Sequence, residues 1–193
     1  MSPNSYVTVL YPKNILMNPD RASDNFILGP IRNAPPYHED VIDTCSRLVN
    51  EEEHEVRLRI NCPKRQEHMV RGFSISSPPS GIRRMCTRQR EWELDTQESA
   101  ARSAGLLFFL IKKGKTEFRK KVYGAITQVE FGYWLARASV DKSLRIAFYS
   151  DGIYNGELHT LLYDIERLAP WLLPMHTTLE SICAQSIAWA KTK

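Results

Sequence analysis

An uninterrupted apolar run, Ala104–Ile111 (AGLLFFLI), limits what this chain can fold into. It is far shorter than the roughly 20 residues that a membrane-spanning helix needs, so we do not expect an integral membrane protein. The protein can still lie against a membrane, because the next ten residues are strongly basic. Six cationic side chains follow the run: Lys112, Lys113, Lys115, Arg119, Lys120 and Lys121. This basic segment predicts an anionic partner.

Length and charge support a single domain with one positive region. The chain has 193 residues, of which 42% are hydrophobic, so it can bury a real core. The net charge is −5 over residues 1–56, +10 over residues 57–121 and −1 over residues 122–193. A field concentrated in the middle third can steer that part of the surface toward anions.

The cysteines do not form a metal or disulfide motif. Cys45, Cys62, Cys86 and Cys183 are scattered and include no C-x-x-C pair, which argues against a zinc ribbon and a disulfide framework. We expect reduced thiols in a cytosolic protein. We predict no signal peptide, because the first twenty residues hold several polar residues and three prolines.

The first third of the sequence predicts an arm followed by the start of a core. Residues 1–40 contain six prolines around two strand-like pieces, YVTVLY and NFILG, which we interpret as an extended, partly ordered arm. EDVIDTCSRLVNEEE has helical spacing of its apolar residues. HEVRLRINC alternates apolar and basic residues, which is typical of a half-buried strand.

The remaining segments predict helices and strands in no regular order. IRRMCTRQREWEL is interpreted as a strand or a short helix. A helix is predicted to begin near Thr96 or Ser99, to include the apolar run and to stop at Gly114. KSLRIAFYS is a predicted strand, LHTLLYDIERL a helix, and the last residues a helix capped by Thr177 or Thr178, with Cys183 in its buried stripe.

These elements predict an α+β fold. We expect one compact domain with a mixed antiparallel sheet and packed helices over residues 41–193, preceded by the flexible arm of residues 1–40.

Familiar enzyme motifs are missing. The sequence has no G-x-S-x-G, P-loop, H-E-x-x-H or G-x-G-x-x-G motif, and its five histidines have no metal-ligand spacing. The sequence therefore predicts a protein that is not an enzyme, with no catalytic residues, metal or cofactor.

The basic segment permits more than one interpretation. It can be an ordinary solvated turn, or it can face an anion. Against an anionic leaflet each Lys or Arg contributes about 1 kcal/mol. Nucleic acid would be attracted by the same charge through counterion release. Charge alone does not distinguish these alternatives.

A proline-rich stretch, NAPPYHED, is the second feature. Pro35, Pro36 and Tyr37 resemble part of a P-P-x-Y ligand for WW domains, although Ala34 stands where that motif has its first proline. A proline-rich hinge between arm and core is the alternative interpretation.

In this order, the two features resemble the matrix proteins of rhabdoviruses, those of the vesiculovirus-like branch in particular. Those proteins have an N-terminal arm with a proline–tyrosine late motif followed by acidic residues, similar to APPYHED. A β-rich stretch, an alanine-rich helix and a glycine–lysine turn come next, and ESAARSAGLLFFLIKKGKTEFRKK is similar to that segment. The resemblance covers about residues 33–121.

The resemblance implies a structural protein that self-associates under a viral envelope, binds the inner face of the membrane through the basic segment and condenses the nucleocapsid for budding. Its partners would be its own copies, anionic lipid, the nucleocapsid and host WW-domain or budding proteins. Its expected locations are the virion, the host cytoplasm with the inner face of host membranes, and the nucleus. Self-association would use apolar arm residues, namely Tyr6, Val7, Val9, Leu10 and Tyr11. The alternative hypothesis is a small basic RNA-binding or host-antagonist accessory protein.

Overall fold

A five-stranded parallel sheet forms the centre of the molecule. The structure, a computed structural model, describes residues 5–10, 24–30, 34–52, 56–63, 80–111, 124–152 and 158–192. The strands are β1 (Tyr6–Leu10), β2 (Asp24–Leu28), β3 (Arg57–Asn61), β4 (Leu106–Leu110) and β5 (Ile146–Ser150). They lie in the order β1-β3-β2-β4-β5, and every neighbouring pair is parallel. The predicted antiparallel sheet is therefore wrong, while the single compact domain with helices and strands is confirmed.

Helices cover both faces of this sheet. They are α1 (Tyr37–Glu51), α2 (Ser80–Ser103), α3 (Ala125–Ala138), α4 (Leu158–Leu168) and α5 (Leu179–Lys191), with a 3-10 turn at Pro170–Leu172. The buried side chains of α1 and α5 pack together on one face, and those of α2, α3 and α4 pack on the other. The result is a three-layer arrangement in which parallel strands are buried on both sides, as such strands usually are.

The apolar run that opened the sequence analysis is the strand β4, not the end of a helix. All five residues of Leu106–Leu110 are buried, since alternate side chains enter the two different cores. The preceding helix ends at Ser103, and Gly105 adopts φ 128°, a conformation that favours glycine. A continuous apolar run has no alternation to distinguish a doubly buried strand from a buried helix, which is why the prediction was wrong.

The expected arm supplies two strands of the sheet. β1 pairs with β3 along its whole length, and β2 is the central strand, between β3 and β4. Phe26 and Ile27 of β2 are completely buried. For these two strands the prediction of an arm outside the core is wrong, because parallel pairing joins segments that are distant in the sequence.

Other local predictions are confirmed. The helix predicted from EDVIDTCSRLVNEEE is α1, the alternating strand is β3, and KSLRIAFYS contains β5. The oxygen of Thr178 accepts a hydrogen bond from the Ser181 backbone N–H at 3.2 Å and caps α5. Cys183 is fully buried against α1, where a hydrogen bond with Cys45 and burial raise the pKa of its thiol. The segment interpreted as a strand or short helix lies within α2, which is much longer.

Candidate functional site at the carboxyl edge of the sheet

After the adjacent strands β2 and β4, the chain continues toward opposite sides of the sheet. From β2 it passes through α1 to β3 on one side, and from β4 it passes through α3 to β5 on the other side. In an open parallel sheet, such a reversal creates a crevice outside the carboxyl ends of the two strands, where ligands bind. The crevice between the ends of β2 and β4 is therefore the first place to look for a site.

The opposite edge of the sheet is closed by side chains. A Cβ atom added to Gly105, just before β4, would lie 2.1 Å from the Trp189 ring. The Arg145 guanidinium donates hydrogen bonds to the backbone carbonyls of Ser103 and Trp189, at 2.8 and 3.1 Å. This packing ties the ends of α2 and α5 together at the amino end of β4.

The backbones of β2 and β4 approach each other closely where β2 ends. Gly29 follows the strand directly, and a Cβ atom there would lie 2.9 Å from the Phe109 carbonyl oxygen of β4 and 2.5 Å from the Tyr37 hydroxyl. Only glycine leaves this space open. The dipeptide Gly29-Pro30 therefore brings the backbone of the β2 end close to β4 at the candidate crevice.

A buried carboxylate lies between α2 and α3 on one wall. Glu130 is 7% exposed. Its Oε1 accepts hydrogen bonds from Arg90 Nη1 at 2.5 Å and from Gln97 Nε2 at 3.0 Å. The Gln97 amide is itself fixed, because its Oε1 accepts a hydrogen bond from Trp134 Nε1 at 3.0 Å. The carboxylate is thus positioned by a chain of three partners.

The charge of this group is balanced by Arg90. Burial opposes the charge of the guanidinium, but hydrogen bonds and charges from Glu130 and Glu93 outweigh it and raise the pKa of Arg90. A carboxylate that accepts hydrogen bonds from a guanidinium and an amide is a group that can act as a nucleophile or a general base.

One oxygen of Glu130 has no partner among the described residues. Both of its hydrogen bonds end on Oε1, and within that part of the chain Oε2 accepts none. By contrast, Glu98 uses both of its oxygens on the Arg137 guanidinium, one of them at 2.8 Å. Glu98 is saturated as a structural ion pair, whereas Glu130 keeps one oxygen available.

Glu130 lies toward the carboxyl half of the sheet. The next residue, Phe131, packs on Phe108 and Phe148, the middle residues of β4 and β5, with ring centroids 6.5 and 5.4 Å apart. A crossover helix runs antiparallel to its strands, so the first half of α3 is the half nearer the carboxyl ends. Glu130 is in that half of α3.

The six cations of the basic segment follow β4 in the sequence. Lys112, Lys113, Lys115, Arg119, Lys120 and Lys121 lie outside the described residues. Their place in the chain is nevertheless informative, since Ile111 directly follows the carboxyl end of β4 and Lys112 comes next.

The proline–tyrosine motif is built into the fold. Tyr37 is the first residue of α1 and only 5% exposed, with its ring 5.0 Å from that of Phe109. Of the three motif residues only Pro36 is exposed, and Pro35, Pro36 and Tyr37 lead into helix α1. Their role as a recruitment motif stays a prediction.

The residues predicted for self-association form an edge strand. Tyr6, Val7, Val9 and Leu10 belong to β1, which pairs with β3 of the same molecule, while Tyr11 lies outside the described residues. Their backbone groups on the β3 side are therefore used within the molecule rather than on a neighbouring copy.

Sequence reasoning missed Glu130 entirely. Its hydrogen-bond partners are 33 and 40 residues away, so no local spacing announces the group. One signal was available: in TQVEFGYWLA it is the single charged residue among mostly apolar neighbours, and such a residue on a helix is either buried with a partner or functional.

The fold defines a class, the doubly wound parallel α/β domains, whose sheet carries helices on both faces. No protein-family model matches the chain, and no curated protein has a significant match. Within the described ranges, no helix combines the length and apolar character needed to cross a membrane. The same part of the chain contains no group of three or more His, Cys, Asp or Glu residues placed to hold a metal ion.

Proposed function

We propose that the protein is an enzyme that binds a phosphorylated small molecule, a nucleotide in the first place, at the carboxyl edge between β2 and β4. Glu130 is the reactive group of this site. The observation that carries the proposal is its buried carboxylate, which is held through Oε1 by Arg90 and Gln97 and has no partner on Oε2 among the described residues.

The ligand class is supported by topology and charge. Doubly wound parallel sheets bind nucleotides where the strand order reverses, and β2 and β4 form such a point here. The basic segment follows β4 in the sequence, and Lys and Arg side chains bind phosphate groups. An anionic ligand at this edge accounts for that concentration of cations without requiring a polymer or a membrane.

The reaction class is supported by the geometry of the carboxylate. A carboxylate with one oxygen that has no partner among the described residues can attack a carbon, form an ester bond to it and displace the group that the carbon carries, as carboxylates do in glycosyl transfer. For a nucleotide, the carbon that accepts this attack is the sugar carbon that carries the base. We therefore propose transfer or hydrolysis at this glycosidic bond, with Glu130 as nucleophile or as the base that activates water.

The experiment uses the full chain and a panel of ribo- and deoxyribonucleoside phosphates. Binding is measured by calorimetry, and release of the free base by liquid chromatography. Glu130→Gln should lower turnover at least about 10³-fold while ligand affinity changes only a few-fold, because shape and neutral hydrogen bonding are kept. The matched control is Glu98→Gln on the neighbouring ion pair, which should keep turnover within a few-fold.

A panel without any binder would refute the ligand class. Wild-type turnover in Glu130→Gln would refute the role of that residue.

The matrix-like and RNA-binding hypotheses stay as the second proposal, favoured by the basic segment alone. A matrix protein should float with phosphatidylserine vesicles, and changing its six cations to Glu should abolish flotation. An RNA-binding protein should instead show affinity that falls steeply with salt and no vesicle binding. Neither behaviour should depend on Glu130, so the Glu130→Gln variant separates these proposals from the enzymatic one.

A further inference from the structure

Helix α3 presents an apolar stripe to solvent on the side opposite its buried residues Phe131 and Leu135. Ile126, Val129 and Tyr133 are 65, 67 and 49% exposed, and Val140 in the following turn is 87% exposed. Between them lie exposed small residues, Gly132 among them, and a Cβ atom added there would meet nothing within 4 Å. Water therefore contacts a helix face on which charged side chains would normally be expected.

The stripe is large for a monomer. With ordinary side-chain areas, the exposed fractions of its four large residues correspond to roughly 500 Å² of apolar surface, toward the upper end of the largest patch on a typical monomer. A standard interface buries about 800 Å² on each partner, so this stripe with a polar rim has the size of an interface core.

The order of large and small residues in the stripe indicates which surface packs against it. We propose that it is the same stripe of a second copy, packed antiparallel across a two-fold axis at Gly132–Tyr133. In that arrangement Val129 faces Ala136 of the partner subunit, and Tyr133 faces Gly132 of the partner subunit, so each large side chain meets a small residue. A two-fold interface requires this reciprocity, because each contact occurs twice.

Close approach of the two helices depends on Gly132. A residue without a side chain at the crossing lets two helix backbones come near each other, which increases the packing contacts on both sides. The exposed positions from Ala125 to Ala136 carry no charged residue. Two copies therefore bring together no charged residue from these positions, and the Arg137 guanidinium, 5.7 Å from the Tyr133 ring centroid, borders the contact.

The surface is independent of the proposed reaction. Glu130 points into the molecule toward α2, while the stripe points outward from the same helix. Dimerisation can thus be tested without a substrate, and its failure would leave the proposed enzyme untouched.

Sedimentation velocity over about 1–100 µM protein tests the proposal on the full chain. The wild type should be a dimer in this range. Val129→Lys should weaken the dimer at least about 30-fold, since it places two cations and their desolvation cost in the interface. Adding Ala136→Glu should restore most of the affinity, because the new lysine and the new glutamate of the other subunit then face each other.

The matched control is Tyr163→Lys, which changes an aromatic residue that is 59% exposed on α4 and should leave the dimer unchanged. If Val129→Lys fails to fold by circular dichroism, Gly132→Ala replaces it and should weaken the dimer about 10-fold with the helix intact. A monomeric wild type would overturn the proposal. So would a dimer unaffected by the change in the stripe, or one weakened equally by Tyr163→Lys.

Discussion

Phe108 and Phe109 are adjacent in the sequence, and both are completely buried, but they enter different cores. The Phe108 ring meets Phe131 and Phe148 on the face covered by α2 and α3. The Phe109 ring meets Tyr37 and Tyr149 on the face covered by α1 and α5.

The two faces place their charges differently. In α1 and α5 the buried polar residues are His38 and Ser186, which carry no carboxylate, and ion pairs such as Arg47–Glu51 and Arg47–Glu180 lie at the exposed surface. Between α2 and α3, the Glu130 carboxylate and the Gln97 amide are buried beside the core. Burying a carboxylate costs free energy that packing alone would not require. Under the proposed function, the α2/α3 face carries the chemistry and the α1/α5 face is scaffold.

The largest effects are expected from truncating the two rings. Phe108→Ala and Phe109→Ala should each lower the free energy of unfolding by about 3–5 kcal/mol, because each leaves a cavity in a filled core. Urea denaturation measures both. Only Phe108→Ala should also reduce turnover beyond the loss of folded protein, since Phe131 next to Glu130 rests on that ring. Equal loss of turnover in the two variants would remove the functional distinction between the faces.

A somewhat smaller effect is expected at the closed amino edge. Gly105→Ala should lower the free energy of unfolding by about 2–4 kcal/mol, because the residue adopts φ 128° and its new Cβ atom would overlap the Trp189 ring. Gly132→Ala is the control, since it adds the same methyl group in open space within a helix. At protein concentrations low enough for the monomer, it should stabilise by up to about 1 kcal/mol. Thermal unfolding of both variants measures the contrast.

Removing the N-terminal cap of α5, on the scaffold face, should have a smaller effect on stability. Thr178→Ala removes the side-chain oxygen that accepts the Ser181 N–H and should cost about 1 kcal/mol. Thr177→Ala, one residue earlier and exposed, is the matched control and should change stability by less than half of that. If both substitutions lower the free energy of unfolding equally, loss of the cap does not explain the destabilisation by Thr178→Ala.

The smallest effect is expected from the structural ion pair between α2 and α3. Hydrogen bonds from Arg137 lower the pKa of Glu98 below its ordinary value of 4.5. A lowered folded-state pKa means that the stabilisation is complete above pH 4.5 and is lost as the pH falls through the lowered value. Because these groups are partly exposed, we expect at most about 1 kcal/mol.

Urea titrations at pH 7 and pH 3 measure this contribution. Arg137→Gln should lower stability at pH 7, and the difference from the wild type should be smaller at pH 3, because the stabilisation is lost as the pH falls through the lowered pKa of Glu98. An equal loss at both values of pH would point to packing of the Arg137 side chain rather than to its charge.

Sequence alone determined those elements whose signal is local. The alternation of apolar and basic residues in HEVRLRINC predicted β3, and the threonine before a regular apolar stripe predicted α5 with its cap. The shortness of Ala104–Ile111 excluded a spanning helix on its own. These conclusions depend only on neighbouring residues, for which period and capping are sufficient.

The tertiary structure alone decided the sheet and the candidate site. Parallel strands pair across long stretches of chain, so nothing local showed that Tyr6–Leu10 and Asp24–Leu28 join β3, or that β2 and β4 meet at a reversal of strand order. Glu130 likewise acquires its role from Arg90 and Gln97, which approach it only when α2 packs on α3. Burial and pairing are properties of the folded chain. For this reason the Glu130 carboxylate could be identified as a candidate group only from the tertiary structure.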